Sequence, residues 1–251
     1  MLKENFKSFE KLTLLFRQLN IKKGDNLMLH SNIAGIYQFE KKINNNYLDH
    51  FIKFILNHIG NEGTLLIPTY NYNFIQGEPY NRRKSECQVG LLGNFLLKKH
   101  YRSRTMAPVF NHLVFGKLKK KIFDCDVKEV FGSRSIFAII KKKNFKIICF
   151  CCSPKEMTFI HYVERYLKVD YRSNKFFNGY LNKKKFCIKY FAGEKKIDYS
   201  LKEKKILKLK NNREFRECQY GRFKSYSVES NFLFRELKKK INKKKNYLIK
   251  N

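Results

Sequence analysis

The chain has 251 residues, 43% of them hydrophobic, with 24 Phe and 15 Tyr; that is enough to build one sizeable α/β core, and it excludes a chain disordered throughout. Lys and Arg number 54 against 21 Asp and Glu, a formal net charge of +33 that concentrates anions near the surface. The lysines are spread along the chain rather than gathered in one arm, and richness in Lys, Asn, Ile and Phe with no Trp is what an AT-biased genome produces, so the charge alone does not make a nucleic-acid-binding protein.

From the start, apolar residues at Phe6, Phe9, Leu12, Leu15, Phe16 and Leu19 predict an amphipathic helix over 5–19. Lys23-Gly24-Asp25 predicts a turn, and Asn26 to His30 a short buried strand that ends at the polar pair His30-Ser31. Tyr47 to Ile59 reads as a helix stopped by Gly60, and Thr64 to Pro68 as a second buried strand. A loop over 71–88 carries Gly77 and Pro79. Gly90 to His100 then reads as helix and Val114-Phe115 as strand before Gly116.

Phe145 to Cys151 is a strong strand pattern, leading through Ser153-Pro154 into a helix from Met157 to Leu167. Strands alternating with helical patterns predict an α/β fold, a three-layer α/β/α sandwich around a mostly parallel or mixed central sheet. The whole of 1–251 is read as one domain, with 181–251 a C-terminal subregion completing it. Within that subregion 181–210 suggests β-hairpin segments. Residues 226–250 suggest a helix whose lysine cluster at 238–245 is a solvated face.

The seven Cys have no zinc-like spacing, so no metal centre is expected, and Cys151-Cys152 at a buried strand end read as inert thiols. The charged start (Lys3, Glu4, Lys7) does not read as a signal peptide, and the apolar runs near 136–140 and 147–152 are too short to span a bilayer. A cytoplasmic protein without a membrane partner is therefore expected.

The chemistry concentrates in Thr158-Phe159-Ile160-His161-Tyr162-Val163-Glu164. A helix there puts His161 and Glu164 on one face, three residues apart. A neutral imidazole suits general-base work, and a carboxylate beside it fixes the tautomer. An isolated pair at this spacing is commonly only a surface contact, but this one follows the carboxyl end of a strand, the edge where open α/β sheets bind ligands. His30-Ser31-Asn32 and Pro68-Thr69-Tyr70 lie at two other strand ends. His30 taken alone reads as a structural histidine.

With these pieces in order, the chain resembles the aminoglycoside 3-N-acetyltransferase (antibiotic acetyltransferase) family over about residues 20–175. Gly24 to Ser31 resembles the family's GDxLxxHSS segment, Gly63 to Tyr70 its GTLxxPT(F/Y) segment and Arg104 to Pro108 its R(S/T)xHP segment. Phe131 to Ser135 resembles FGxxSP, and Thr158 to Glu164 resembles TxxHxxE. The resemblance implies direct transfer of an acetyl group from acetyl-CoA to an amine. His161 would be the base, Glu164 its orienting carboxylate and Thr158 a hydroxyl donor near the thioester.

It also implies that His30, Ser31, Asn32 and Ile33, together with Thr105, meet the coenzyme, phosphate being suited to backbone N–H groups at a helix start. Thr69, Tyr70 and Thr105 would line the cleft. The sequence departs from the family at Ala107 (usually His), Asn111 (usually Ser), Asn32 (usually Ser) and Ile136 (usually Pro). Because aminoglycosides are polycations and the chain carries +33, electrostatics favours an anionic small-molecule acceptor such as a nucleotide-linked amino sugar. The alternatives are a basic nucleic-acid-binding protein on an enzyme-like scaffold, disfavoured because it leaves the dyad unexplained, and a degenerate family member that binds CoA without turnover.

Overall fold

The computed structural model describes residues 2–39, 46–194, 197–211 and 213–250, with the side chains of residues 2–9 outside the description. Phe6 and Phe9, two residues of the expected amphipathic face, therefore lie outside the described side chains. The elements run α1 (Leu2–Gln18), β1 (Asn26–Ser31), α2 (Ile33–Tyr37), α3 (Tyr47–Ile59), β2 (Thr64–Pro68), α4 (Leu91–His100), β3 (His112–Gly116) and α5 (Lys119–Phe123). They continue with α6 (Ile136–Lys142), β4 (Lys146–Phe150), α7 (Phe159–Leu167), β5 (Arg172–Leu181), β6 (Lys184–Gly193), α8 (Lys202–Leu207), β7 (Phe215–Tyr220), β8 (Phe223–Glu229) and α9 (Ser230–Lys243).

Six strands form one mixed sheet in the order β3-β2-β1-β4-β8-β7. The centre is parallel, β1 pairing with β2 on one side and β4 on the other, while β3, β8 and β7 join antiparallel. Because both faces of the parallel centre are covered, its strands are continuous apolar runs rather than alternating ones. Met28, Leu66, Ile147 and Cys149 point to one face, where Phe137 of α6, Phe159 and Val163 of α7 and Leu233 and Leu237 of α9 pack on them. Leu27, Leu65, Ile67, Ile148 and Phe150 point to the other face, covered by α1, α3 and α4 through Leu15, Phe16, Phe51, Ile55 and Leu96. This is the expected three-layer α/β/α sandwich around a mixed sheet.

The parallel centre fixes where a ligand can enter. From β1 the chain runs to β2 through α3 on one face, and β4, on β1's other side, is entered from α6 on the opposite face. The carboxyl ends of β1 and β4, paired at His30↔Cys149 and Ser31↔Phe150, thus part around a crevice. Gly60, with φ +66°, closes α3 in a conformation that glycine adopts without strain. Gly35 lets α2 lie against the β4 exit, since a Cβ there would sit 2.0 Å from Cys151 Cβ.

Two C-terminal expectations are corrected. The hairpin is β5–β6, from Arg172 to Gly193, so it begins before residue 181; 202–207 is helix. Residues 226–229 are not helix but the end of β8, which pairs with β4 and β7, and α9 starts only at Ser230. Among the described residues no helix is long and apolar enough to cross a membrane.

Candidate active site

The turn Ser153-Pro154, capped by Ser153 Oγ accepting from Lys155 N, directs the chain from β4 into α7 and sets Thr158 at its start. Phe159, Ile160 and Val163 anchor α7 on the sheet, fully buried. His161 and Glu164 share another side of the helix. Nδ1 of His161 donates to Glu164 Oε2 at 2.6 Å. That short contact with a carboxylate oxygen requires the proton on Nδ1, which leaves the lone pair on Nε2. Nε2 has no hydrogen-bond partner among the described residues, and 18% of the imidazole surface is exposed.

Glu164 is completely buried, and both its oxygens are engaged. Oε1 accepts from the Tyr171 hydroxyl at 2.9 Å, and Oε2 also lies 2.8 Å from Arg172 Nε in an ion pair. Burial pushes the Glu164 carboxyl up, but the His161 imidazole and the Arg172 guanidinium outweigh it, so its pKa is lowered and it stays ionised. For His161, burial and then Arg172 push the pKa down, against the pull of Glu164, to about 4. The ring is therefore neutral at pH 7. Arg172 Nη2 lies 2.8 Å from Nδ1 and donates to the Tyr199 hydroxyl at 2.8 Å. Phe131 and Tyr199 flank the imidazole with ring centres 6.0 and 6.3 Å away.

A cleft of about 780 Å³ opens where β1, β2 and β4 end. It is lined by His30, Ser31, Asn32, Ile33, Tyr70 and Thr158, so six of the expected site residues share one wall system. Asn32 caps α2 by accepting from Ala34 N at 2.9 Å. Burial, followed by the charge of Lys202, lowers the His30 pKa to about 3, and its Nε2 is buried with no partner among the described residues. The Tyr70 hydroxyl lies 3.3 Å from His112 Nε2 and hydrogen-bonds the Thr158 side chain. Thr158 Oγ1 also donates to Glu156 O at 3.4 Å.

Four expected residues are not among those lining the cleft: His161 and Glu164, on α7 beyond Thr158, and Thr69 and Thr105. Thr69 is fully buried, donating its hydroxyl to Asn111 Oδ1 at 2.8 Å, and it does not line the cleft. Thr105 is 1% exposed and accepts from His112 N at 3.1 Å, so its hydroxyl holds β3 rather than facing a ligand. Thr69 belongs to a network around the buried Arg104, whose Nε donates to Asn111 Oδ1 at 2.7 Å and Nη2 to Thr69 O at 2.6 Å. Nη1 of the same side chain reaches Ser85 O. Asn111, where the family usually has Ser, is thus a structural acceptor for two donors.

Sequence reasoning gave no role to Tyr171, Arg172, Tyr199 or Lys202. An arginine and a tyrosine next to one another just after the dyad helix were the available signal; Lys202 sits in a lysine-rich stretch that carries none.

The model of the family described as "Aminoglycoside 3-N-acetyltransferase" matches residues 28–241, most of the chain. The chain belongs to this family. N-acetyl transfer is the class of reaction that membership carries. Solved structures agree on the fold. A mutant of aminoglycoside acetyltransferase AAC(3)-IVa in complex with a gentamicin aligns with TM-score 0.73 at 14% identity, covering 94% of this chain and 88% of that one. The YokD protein from Bacillus subtilis aligns with TM-score 0.72 at 14% identity over 92% of this chain and 97% of its own. AAC-IIIb in a binary complex with CoASH aligns with TM-score 0.69 at 15% identity over 89% and 93%. No curated protein sequence matches the chain.

Proposed function

We propose that this family member transfers acetyl from acetyl-CoA directly to an amine of an anionic amino sugar, with His161 as general base. The observation that carries the reading is the imidazole–carboxylate pair at 2.6 Å, with Nε2 left unpartnered among the described residues, on a helix whose capping residue, Thr158, lines the cleft. Nε2 takes the proton from the attacking nitrogen as the C–N bond forms to the thioester carbonyl; the C–S bond then breaks, and the imidazolium returns the proton to the departing sulfur, so the coenzyme leaves as thiol. Glu164 holds the tautomer and steadies the imidazolium. His30 to Ile33, on the cleft wall, suit the coenzyme, and Thr158 suits the thioester oxygen as a hydroxyl donor once it gives up its 3.4 Å contact with Glu156 O. The related enzyme AAC-IIIb is known with CoASH bound, which supports the donor.

The acceptor reading rests on charge. Glu156 is the one carboxylate among the described residues lining the cleft, and Arg172 and Lys202 stand beside the dyad. A polycation needs several carboxylates to offset its charge, whereas this setting favours an amine that also carries a negative group, as a nucleotide-linked amino sugar does. AAC(3)-IVa binds gentamicin, a property of that protein. Turnover with acetyl-CoA against nucleotide-linked amino sugars and kanamycin-type drugs decides the matter. Acetylation of the sugars is expected; efficient drug acetylation with none of the sugars refutes the acceptor.

A further inference from the structure

The strand that leads toward the dyad helix ends in Cys149-Phe150-Cys151-Cys152, and the fold sorts these cysteines to different sides. Cys149 and Phe150 close β4 on opposite faces of the sheet, as strand alternation requires. Cys149 packs with the α7 and α9 layer, Phe150 with the α1 and α3 layer. Continued alternation would return Cys151 to the side of Cys149 and send Cys152 away from it. Cys151 instead adopts φ +56°, so its side chain stays with Phe150 and Cys152 packs on the layer of Cys149. Left-handed backbone is uncommon outside glycine, and here two side chains hold it. Cys151 N donates to Ser225 Oγ at 2.9 Å, and Gln38 Nε2 donates to Cys151 Sγ at 3.3 Å.

The turn thereby brings together two thiols separated by two residues. Cys149 is fully buried and hydrogen-bonded to Cys152. Cys152 is half-buried and lines the cleft where β1 and β4 end. One sulfur is reachable from the ligand space and the other stands behind it. Burial, and then the contact with Cys152, push the Cys149 thiol well up, so Cys149 keeps its proton and is the donor in that contact. An S–H aimed at a neighbouring sulfur favours the thiolate there, which is the attacking form in disulfide exchange. Cys151 also borders the cleft, but it matches the inert thiol expected from the sequence: it is 3% exposed, burial pushes it up to about 11, and Gln38 and Ser225 engage its sulfur. Cys152 departs from that expectation.

We propose that Cys152 is a disulfide-exchange site on the cleft wall, taking one half of a small organic disulfide, with Cys149 as the thiol that resolves it. The Cys152 thiolate attacks one sulfur of the disulfide. The ligand's S–S bond breaks, and one thiol leaves with the proton that Cys152 gave up. Cys149 then loses its proton and attacks the Cys152 sulfur; the mixed disulfide breaks, and the second thiol leaves with that proton. The ligand is reduced to two thiols, and the protein dithiol is oxidised to one disulfide. The ligand is a disulfide with an arm that enters beside Ser31, Asn32 and Ile33, which share this wall with Cys152. On the coenzyme reading above, the coenzyme's own disulfide is such a ligand; the inference rests on that reading for this identity alone.

The test exposes the reduced full chain to oxidised glutathione and maps the products by peptide mass spectrometry. Acetyl-CoA, which has no free thiol, is the competitor. The expected product is a Cys149–Cys152 disulfide that dithiothreitol reverses. Cys149→Ala should stop at a glutathione adduct on Cys152, and Cys152→Ser should form neither species. Saturating acetyl-CoA should slow the reaction at Cys152 by about 10-fold or more, because only the unoccupied cleft reacts. Exposed Cys187 is the internal reference, and its modification should not respond to acetyl-CoA. Glutathione on Cys187 with none reaching Cys152 overturns the proposal, as does a Cys152 adduct that persists in the parent without passing to Cys149. A Cys149–Cys152 disulfide that forms equally fast with and without acetyl-CoA upholds the exchange site and counts against coenzyme binding in this cleft.

Discussion

Arg172 holds Nη2 2.8 Å from the Nδ1 of His161, placing a permanent cation against the ring that takes the proton. Its Nε lies as close to Glu164, so one guanidinium both pairs the orienting carboxylate and suppresses the basicity of the imidazole. The dyad read from the sequence is thus a His–Glu–Arg cluster, closed by the hydroxyls of Tyr171 and Tyr199.

Replacing Arg172 by Met removes a charge that lowers the His161 pKa and leaves Glu164, which raises it. The imidazole should therefore titrate above the value of about 4 in the parent protein, toward its ordinary 6.5. NMR titration of the histidine ring protons, with the His161→Ala spectrum for assignment, reads the shift. An unchanged or lower midpoint contradicts the assigned electrostatics.

Glu164→Gln keeps the shape of the side chain but removes the charge that favours Nδ1–H and the imidazolium. Turnover should fall by about 100-fold or more, with CoA affinity little changed because Glu164 lies outside the cleft wall. The same change leaves Arg172 without its buried counter-charge, which should destabilise the protein by about 3–5 kcal/mol. Urea denaturation measures that part separately.

Three buried histidines make stability depend on pH. Burial lowers His30 and His112 to about 3 and His161 to about 4, from 6.5. Between pH 6.5 and about 4 the unfolded chain binds protons at these positions that the folded chain does not. The contribution is complete above 6.5 and is lost as pH falls, at about 1.4 kcal/mol per pH unit for each group well below 6.5. Urea midpoints at about pH 7.5, 6 and 5 should decrease in that order, and His112→Asn should flatten the trend. A midpoint independent of pH across this range contradicts neutral burial.

Arg104→Met strips donors from Asn111 Oδ1, Thr69 O and Ser85 O in a buried setting. Asn111 Oδ1 keeps the Thr69 hydroxyl, while Thr69 O and Ser85 O lose this donor; at about 1–3 kcal/mol for each orphaned acceptor, the variant should lose about 2 kcal/mol or more in chemical denaturation. A loss below about 0.5 kcal/mol, the size of an ordinary surface substitution, would show that the network does not hold this loop.

Much of the frame was legible because it is locally encoded. Thr64 to Pro68 and Tyr47 to Ile59 begin and end where the apolar runs and Gly60 place them. His161 and Glu164 came together because helical spacing alone brings i and i+3 to one face. β8 escaped because Ser225, Tyr226 and Ser227 form a strand only by pairing with β4, far earlier in the chain, and the same stretch runs on into a true helix. Lys202 escaped for a related reason: Lys202-Glu203-Lys204-Lys205 reads as a solvated run, and only tertiary packing turns its first residue inward. Thr69 and Thr105 lie next to cleft residues or family motifs in sequence, but their hydroxyls bond to Asn111 and to the His112 backbone.

The most direct measurement is the turnover of His161→Ala with acetyl-CoA and an accepted amine, together with its CoA dissociation constant. General-base transfer through Nε2 predicts a fall in kcat of about 100–10,000-fold with coenzyme affinity within a few-fold of the parent. Turnover that stays within a few-fold of the parent contradicts it.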